Sequence, residues 1–277
     1  MTLPSYARGR GLDLGFLTTE PAPVYHAKAK DYLSSHQLAD FRRCPALYRK
    51  KQLGLIRDRD SAAYLVGRAA HTLILEGRER FEAEYAVGGP VNPRTGQPFG
   101  SNTKAFAEWA ARVGKPVLDD AQAALVERMA ASAGEHLFAR ELLRAGVAER
   151  VVRCELDGHR CQARIDWVNP LPDRGLVDLK TCDTLDMFER DFRAFGYAHQ
   201  LAFYRGLVRR AAGEDVSVYA IAVEKREPYR CGVWQVATSV LDAAQRENRA
   251  AMRELARCRE TGVWPTRFES LRLIDHL

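Results

Sequence analysis

Asp166 and Asp178 stand twelve positions apart, and Lys180 follows the second aspartate by two. The segment between the aspartates, Trp167 to Val177, reads as the turn of a β-hairpin, which brings both carboxylates to one end of adjacent strands. On a strand Lys180 points to the same face as Asp178, because side chains alternate with a period of two. Two carboxylates hold a hard divalent cation, and an ammonium beside them positions or activates water. Such a set is equipped to hydrolyse a phosphodiester. The same residues also suit two ordinary strand-end acids with a lysine as ion-pair partner, so other segments must decide between the readings.

Two further stretches bear on that choice. Gly67-Arg68-Ala69-Ala70-His71-Thr72-Leu73-Ile74-Leu75-Glu76 has helical character and carries His71 among apolar neighbours. Tyr197-Ala198-His199-Gln200-Leu201-Ala202-Phe203-Tyr204 is also helical, and Gln200 and Tyr204, four apart, share one face. Taken singly, His71 reads as a satisfied core residue, Tyr204 as core packing and Gln200 as a solvent position.

The elements that must position these residues follow from pattern. Residues 1–30 hold Gly9, Gly11, Gly15 and three prolines without periodicity, which predicts a loosely ordered segment; residues 31–277 predict a single domain. Ser34 or Ser35 caps a helix through Leu38, Phe41 and Leu47. A second helix, about 60–77, carries His71. Residues 87–100, with Gly88-Gly89-Pro90, Asn92-Pro93 and Arg94-Thr95-Gly96, form a loop. Helical patterns follow at about 102–113 and 119–145. Three β-rich runs come next, 151–156, 161–168 and 175–180, the first two joined by the Asp157-Gly158 turn. They predict an antiparallel meander at the centre of the sheet. A helix at about 186–210, strands near 216–223 and 230–236, and a helix at about 239–261 complete the chain. The resulting fold class is α/β, a mixed sheet flanked by helices with a helical N-terminal region.

Composition narrows the function classes. Hydrophobic residues make up 46% of the 277, enough for a substantial core, and no run approaches the roughly 20 apolar residues of a membrane helix. The start, Met1-Thr2-Leu3-Pro4-Ser5, lacks the layout of a secretory signal, so a cytoplasmic location is expected. Six scattered cysteines, without a Cys-x-x-Cys pair, disfavour a zinc site and give no disulfide framework. No His-x-x-x-His pair lies near the acids, which argues against a zinc hydrolase. The net charge of +6 permits a polyanionic partner. Basic residues concentrate at Arg42, Arg43, Arg49, Lys50, Lys51, Arg57 and Arg59, and again at Arg205, Arg209 and Arg210.

In order, Gly67-x-x-x-His71, Arg164-x-Asp166, Asp178-x-Lys180 and Gln200-x-x-x-Tyr204 resemble the pattern of RecE-type (exonuclease VIII-like) exonucleases of the PD-(D/E)XK nuclease superfamily, related to the RecB nuclease domain. Leu33-Ser34-Ser35-His36-Gln37-Leu38 with Cys44-Pro45-Ala46-Leu47-Tyr48, and Gly262-Val263-Trp264-Pro265 near the end, resemble that family's flanking segments. The resemblance runs from about Tyr32 to about Pro265.

What the resemblance implies is specific. His71, Asp166, Asp178 and the main-chain carbonyl of Leu179 would ligate Mg2+, with Mn2+ as a substitute; Asp166, Asp178 and Lys180 would be catalytic. Gln200, Tyr204 and Glu155 would lie on the substrate side, Glu155 equally suiting a surface acid beside the Asp157-Gly158 turn. The isolated late cysteines Cys231 and Cys258 lead to an expectation of no iron–sulfur cluster. The implied activity is a 5′→3′ exonuclease on linear double-stranded DNA that leaves 3′ tails for phage recombination. A toroidal homo-oligomer and a RecT-like single-strand annealing partner follow by the same resemblance. A single-strand or flap nuclease, an endonuclease of the same superfamily and a non-catalytic DNA-binding subunit remain as alternatives.

Overall fold

A computed structural model describes residues 11–56 and 62–274. Arg57 and Arg59 of the N-terminal basic stretch lie outside the described residues. The strands are β1 (Thr18–Thr19), β2 (Ala86–Val87), β3 (Val117–Leu118), β4 (Val147–Leu156), β5 (His159–Val168), β6 (Leu176–Cys182), β7 (Val218–Glu224) and β8 (Cys231–Gln235). The α-helices are α1 (Ala22–Ala27), α2 (Ser35–Arg43), α3 (Pro45–Gln52), α4 (Ala62–His71), α5 (Arg78–Glu84), α6 (Lys104–Val113), α7 (Asp120–Glu135), α8 (Leu137–Leu142), α9 (Phe188–Ala194), α10 (Tyr197–Ala212) and α11 (Thr238–Thr261).

Six strands form one sheet in the order β1-β4-β5-β6-β7-β8. The expected meander β4-β5-β6 is antiparallel and central; β7 joins β6 in parallel after the α9–α10 crossover, and β8 returns antiparallel. Asp157 (φ 49°) and Gly158 (φ 77°) both have positive φ, the requirement of the two-residue hairpin turn that matches strand twist. That turn pairs Leu156 with His159 and so sets every later pair along the two strands.

Two apolar layers cover the two sheet faces. Leu38, Phe41, Leu201, Phe203, Leu207, Met252 and Leu255 of α2, α10 and α11 pack with Ile165 and Leu176. On the other side Ala69, Ala70, Val126, Met129 and Leu142 of α4, α7 and α8 pack with Val177, Leu179 and Ile221. Leu176 belongs to the first layer and Val177 to the second, so the strand alternation of β6 is read directly into the layers. β7, covered on both sides, is buried at every position, which accounts for its unbroken apolar run Val218–Val223. A Cβ at Gly175 would lie 2.4 Å from Ser217 O, so the lead into β6 passes the start of β7 only because no side chain intervenes.

Several expectations are corrected. Residues 11–30 are not loosely ordered: Thr18 and Thr19 pair with Val151 and Arg150, adding an edge strand, and residues 22–27 are helical. Residues 1–10 lie outside the described residues. The helix expected through Leu47 breaks at Cys44-Pro45, since proline disfavours a helical conformation in the residue before it; Cys44 has φ −163° and ψ 105°. Ser34, not Ser35, is the N-cap, in a reciprocal box with Gln37. The expected 186–210 helix divides at Gly196 (φ 69°).

Two carboxylates, Glu224 buried and Glu20 half-buried, brace the sheet margins. Glu224, at the end of β7, accepts from Arg230 and from the Leu185 amide at 2.7 Å. Glu20, beside β1, accepts from Arg153 on β4 at 2.6 Å. The hydrogen bonds from Arg230 and Arg153 hold both carboxyls at about 2, against an ordinary 4.5. A depressed carboxyl contributes stability that is present above the unfolded value and lost as pH falls through the folded one. The melting temperature is therefore expected to drop between pH 4.5 and 2, and Glu224→Gln to flatten part of that slope. An unchanged slope in the variant would remove Glu224 as a cause.

Candidate metal centre and active site

The β4–β5 register pairs Ala148 with Trp167 and Arg150 with Ile165, which leaves Glu149 facing Asp166. Glu149 has φ 53°, an unfavourable conformation for a side chain of this kind in a strand. Like charges directly opposite one another are also destabilising. Arg164, on the Asp166 face, offsets part of this through an ion pair with Glu149 at 2.9 Å.

Beyond Trp167–Val177 the β5–β6 ladder ends, and the Asp166 carboxylate replaces it by accepting the Leu179 amide at 2.9 Å. Asp166 and Asp178 thus lie where the two strands part, as the hairpin reading predicts. Asp178, 2% exposed, pairs with Lys180 at 2.5 Å from the same strand face. Gln200 Nε2 donates to Asp178 Oδ1 at 3.3 Å and to the Tyr204 hydroxyl at 2.9 Å, so one face of α10 closes the site as the four-residue spacing requires. The Lys180 ammonium also sits 4.8 Å from the centre of the Tyr197 ring, at the start of that helix.

His71 arrives from the other layer at the end of α4, with Nδ1 3.6 Å from Asp166 Oδ2. A π-helical turn, Thr72–Glu76, follows it directly; such turns are frequent at functional positions. One ligand atom each from His71, Glu149 and Asp166 lies within 4.8 Å of the others, a grouping that can hold a metal ion.

The structure brings together His71, Asp166, Asp178, Lys180, Gln200 and Tyr204, but Glu155 is not among them. Glu155 is exposed and pairs in register with Arg160 beside the hairpin turn, near the opposite end of β4 from the site. The acid of β4 that meets Asp166 is Glu149. His36, at the start of α2, is a second residue to which the sequence assigned no role: burial, then the charge of Lys180, brings its imidazole below the ordinary range. Of the second basic group, Arg205 is buried in ion pairs with Asp242 at 2.8 Å and with Asp215, and so braces the fold.

The electrostatics suit a cation. Burial, then the Asp166 charge, pushes the Glu149 carboxyl up to about 8. Burial likewise raises Asp166 and Asp178. Burial and the nearby Lys180 bring His71 down to about 4, leaving a neutral imidazole able to ligate. Burial works against charge on Lys180, but Asp178 and Asp166 outweigh it and hold the ammonium above its ordinary range. Crowded carboxylates that resist ionisation, next to a neutral histidine, are the donors a divalent cation accepts. The residues therefore fit such a metal, with His71, Glu149 and Asp166 as its side-chain holders; Asp178, expected as a ligand, lies outside that grouping and pairs with Lys180.

Fold and site together define a PDDEXK-like domain. A family model described as a PDDEXK-like domain of unknown function matches residues 34–276, and the chain belongs to that family. A crystal structure of a candidate exonuclease from Eubacterium rectale is similar over 94% of this chain and 96% of that one, with a TM-score of 0.63 and 17% identity. At that identity the likeness speaks for the fold. Among curated proteins none matches the chain. No helix among the described residues is long and apolar enough to cross a membrane.

Proposed function

We propose that this protein is a metal-dependent nuclease of RecE type that hydrolyses linear double-stranded DNA from an end, 5′→3′, leaving 3′ single-stranded tails. The observation that carries the reading is the Lys180–Asp178 pair beside the His71, Glu149 and Asp166 grouping, on the margin where β5 and β6 part. A divalent ion there, Mg2+ or Mn2+, would supply a Lewis acid for the phosphoryl oxygen and for water. Lys180 keeps its proton, so it serves as a donor that orients the attacking water and offsets charge growing on the phosphoryl group. Gln200 holds the Asp178 carboxylate on one side while Lys180 holds it on the other, and Tyr204 in turn holds Gln200. Asp166 is aligned by the Leu179 amide. The Leu179 carbonyl is proposed as a further metal contact.

Action from DNA ends, a role in phage recombination, a RecT-like annealing partner, a toroidal oligomer and a cytoplasmic location extend the same reading. The experiment is degradation of end-labelled linear duplex with closed circular duplex alongside, in Mg2+, Mn2+ and EDTA. Loss of the linear form only, abolished by EDTA, is the expected result, and the label position reports the direction. Nicking of the circle would replace this reading with an endonuclease; binding of DNA without cleavage of either form would leave a DNA-binding subunit.

A further inference from the structure

At the hairpin end of β4 and β5, far from the metal centre, a cavity of about 170 Å³ opens between the segment before α2, α3 and the end of α11. His159, which lines it, lies seven residues from Asp166 along β5, roughly 23 Å at the usual strand rise. Its polar lining includes Lys30, Tyr32, Tyr48, Gln52, Arg160 and Arg259, with Asp31 as the single carboxylate.

The hydrogen bonding of this lining is one-sided. Arg160 Nη2 donates to the Tyr32 hydroxyl at 2.7 Å, and its guanidinium lies 4.5 Å from the centre of the same ring. Arg259 Nη2 donates to the Tyr48 hydroxyl at 3.3 Å, which also receives Gln52 Nε2 at 3.3 Å. His159 Nε2 faces the Met252 carbonyl at 2.9 Å, so that nitrogen carries the proton and Nδ1 accepts from Arg259 at 3.3 Å. Each tyrosine oxygen therefore accepts from a guanidinium while its own proton finds no acceptor among the described residues. Lys30, Arg160 and Arg259 likewise have no carboxylate partner among them.

Tyr48 and His159 anchor this lining, whereas Lys30, Arg160 and Arg259 are exposed. Tyr48 is 3% exposed, held edge-on by Phe41 at 5.6 Å and stacked with Trp264 at 6.1 Å. His159 is buried. Orienting two guanidinium groups before a ligand arrives lowers the ordering cost of binding.

We propose that this cavity is a binding site for a phosphate-class oxyanion. Three cations face one carboxylate, and the two hydroxyl protons need an acceptor. Guanidinium forks match the oxygens of a phosphate. A cavity of this volume is below the size of drug-like ligand sites and suits a small anion or a single phosphate of a larger molecule. The phosphate comes either from a nucleic-acid backbone or from a free phosphate anion. This inference does not depend on the nuclease reading, because the cavity and the metal centre share no residue.

The test uses the full chain in EDTA, so that turnover plays no part. Inorganic phosphate is titrated against sodium chloride of equal ionic strength, with heat of binding and thermal unfolding as readouts, on the wild type and on the Arg160→Gln/Arg259→Gln double variant. Tyr48→Phe is the milder companion, since it removes one hydroxyl and leaves the ring packing in place. Saturable binding of phosphate by the wild type, weakened at least about tenfold in both variants, is expected. Anisotropy of a labelled duplex, measured across salt concentrations, then identifies the source. A backbone phosphate lowers the magnitude of the salt slope by about 1 in the double variant; an unchanged slope assigns the site to free phosphate. Phosphate that does no more for the wild type than chloride overturns the proposal.

Discussion

Replacing Lys180 by alanine is expected to lower phosphodiester hydrolysis by about 10²- to 10⁴-fold. The ammonium is 2.5 Å from Asp178 and held in its charged form by two carboxylates, so its removal takes away a positioned donor and leaves those carboxylates uncompensated. A structural cost accompanies the chemical one. Removing one partner of a buried pair typically costs about 3–5 kcal/mol, but Asp178 is already pushed up by burial and can take a proton, which moderates the loss. Activity must therefore be compared at a temperature where circular dichroism shows the variant folded. Lys180→Arg is expected to fail as well, because a planar guanidinium does not reproduce a compact ammonium. Turnover by folded Lys180→Ala within tenfold of the wild type would show that the chemistry lies elsewhere.

The second large effect concerns Glu149 and its decoy on the same strand. Glu149→Gln is expected to weaken Mn2+ binding by about 10- to 100-fold, on the scale of losses seen when groups that hold or orient metal ligands are removed. The amide keeps the shape of the carboxylate but not its charge. In the metal-free protein the same change relieves the opposition of Glu149 and Asp166 but gives up the ion pair with Arg164, so the variant should melt close to the wild type. Glu155→Gln, exposed near the far end of β4, should leave metal binding unchanged. Titration calorimetry with Mn2+ on the three proteins separates the outcomes. Equal losses for Glu149→Gln and Glu155→Gln, or none for Glu149→Gln, would remove Glu149 from the metal centre.

That contrast also shows how far the chain could be read without its fold. The Asp157-Gly158 turn is visible in the sequence, and a two-residue turn pairs Leu156 with His159. Counting back along the two strands from that pair sets Glu149 opposite Asp166, so the information needed to choose Glu149 over Glu155 was present. Glu155, implied by the resemblance, instead sits at the turn end of the strand opposite Arg160, the place of the surface acid. The break at Cys44-Pro45 was legible in the same local way, from the restriction proline places on its predecessor. Residues 18–19 were not legible, because a two-residue edge strand is defined by its partner and carries no periodicity of its own.

The sequence by itself determined that Asp178 and Lys180 share a face and that Gln200 and Tyr204 share another, since strand and helix periods are local properties. It also determined the β4–β5 register through one turn. Tertiary structure alone decided that His71, on a helix in the opposite layer, reaches Asp166, and that Gln200 meets Asp178. It alone gathered Lys30, Tyr48, Arg160 and Arg259 around one cavity. The physical reason is that such contacts join segments far apart in the chain, and their geometry comes from how two apolar layers close on the sheet.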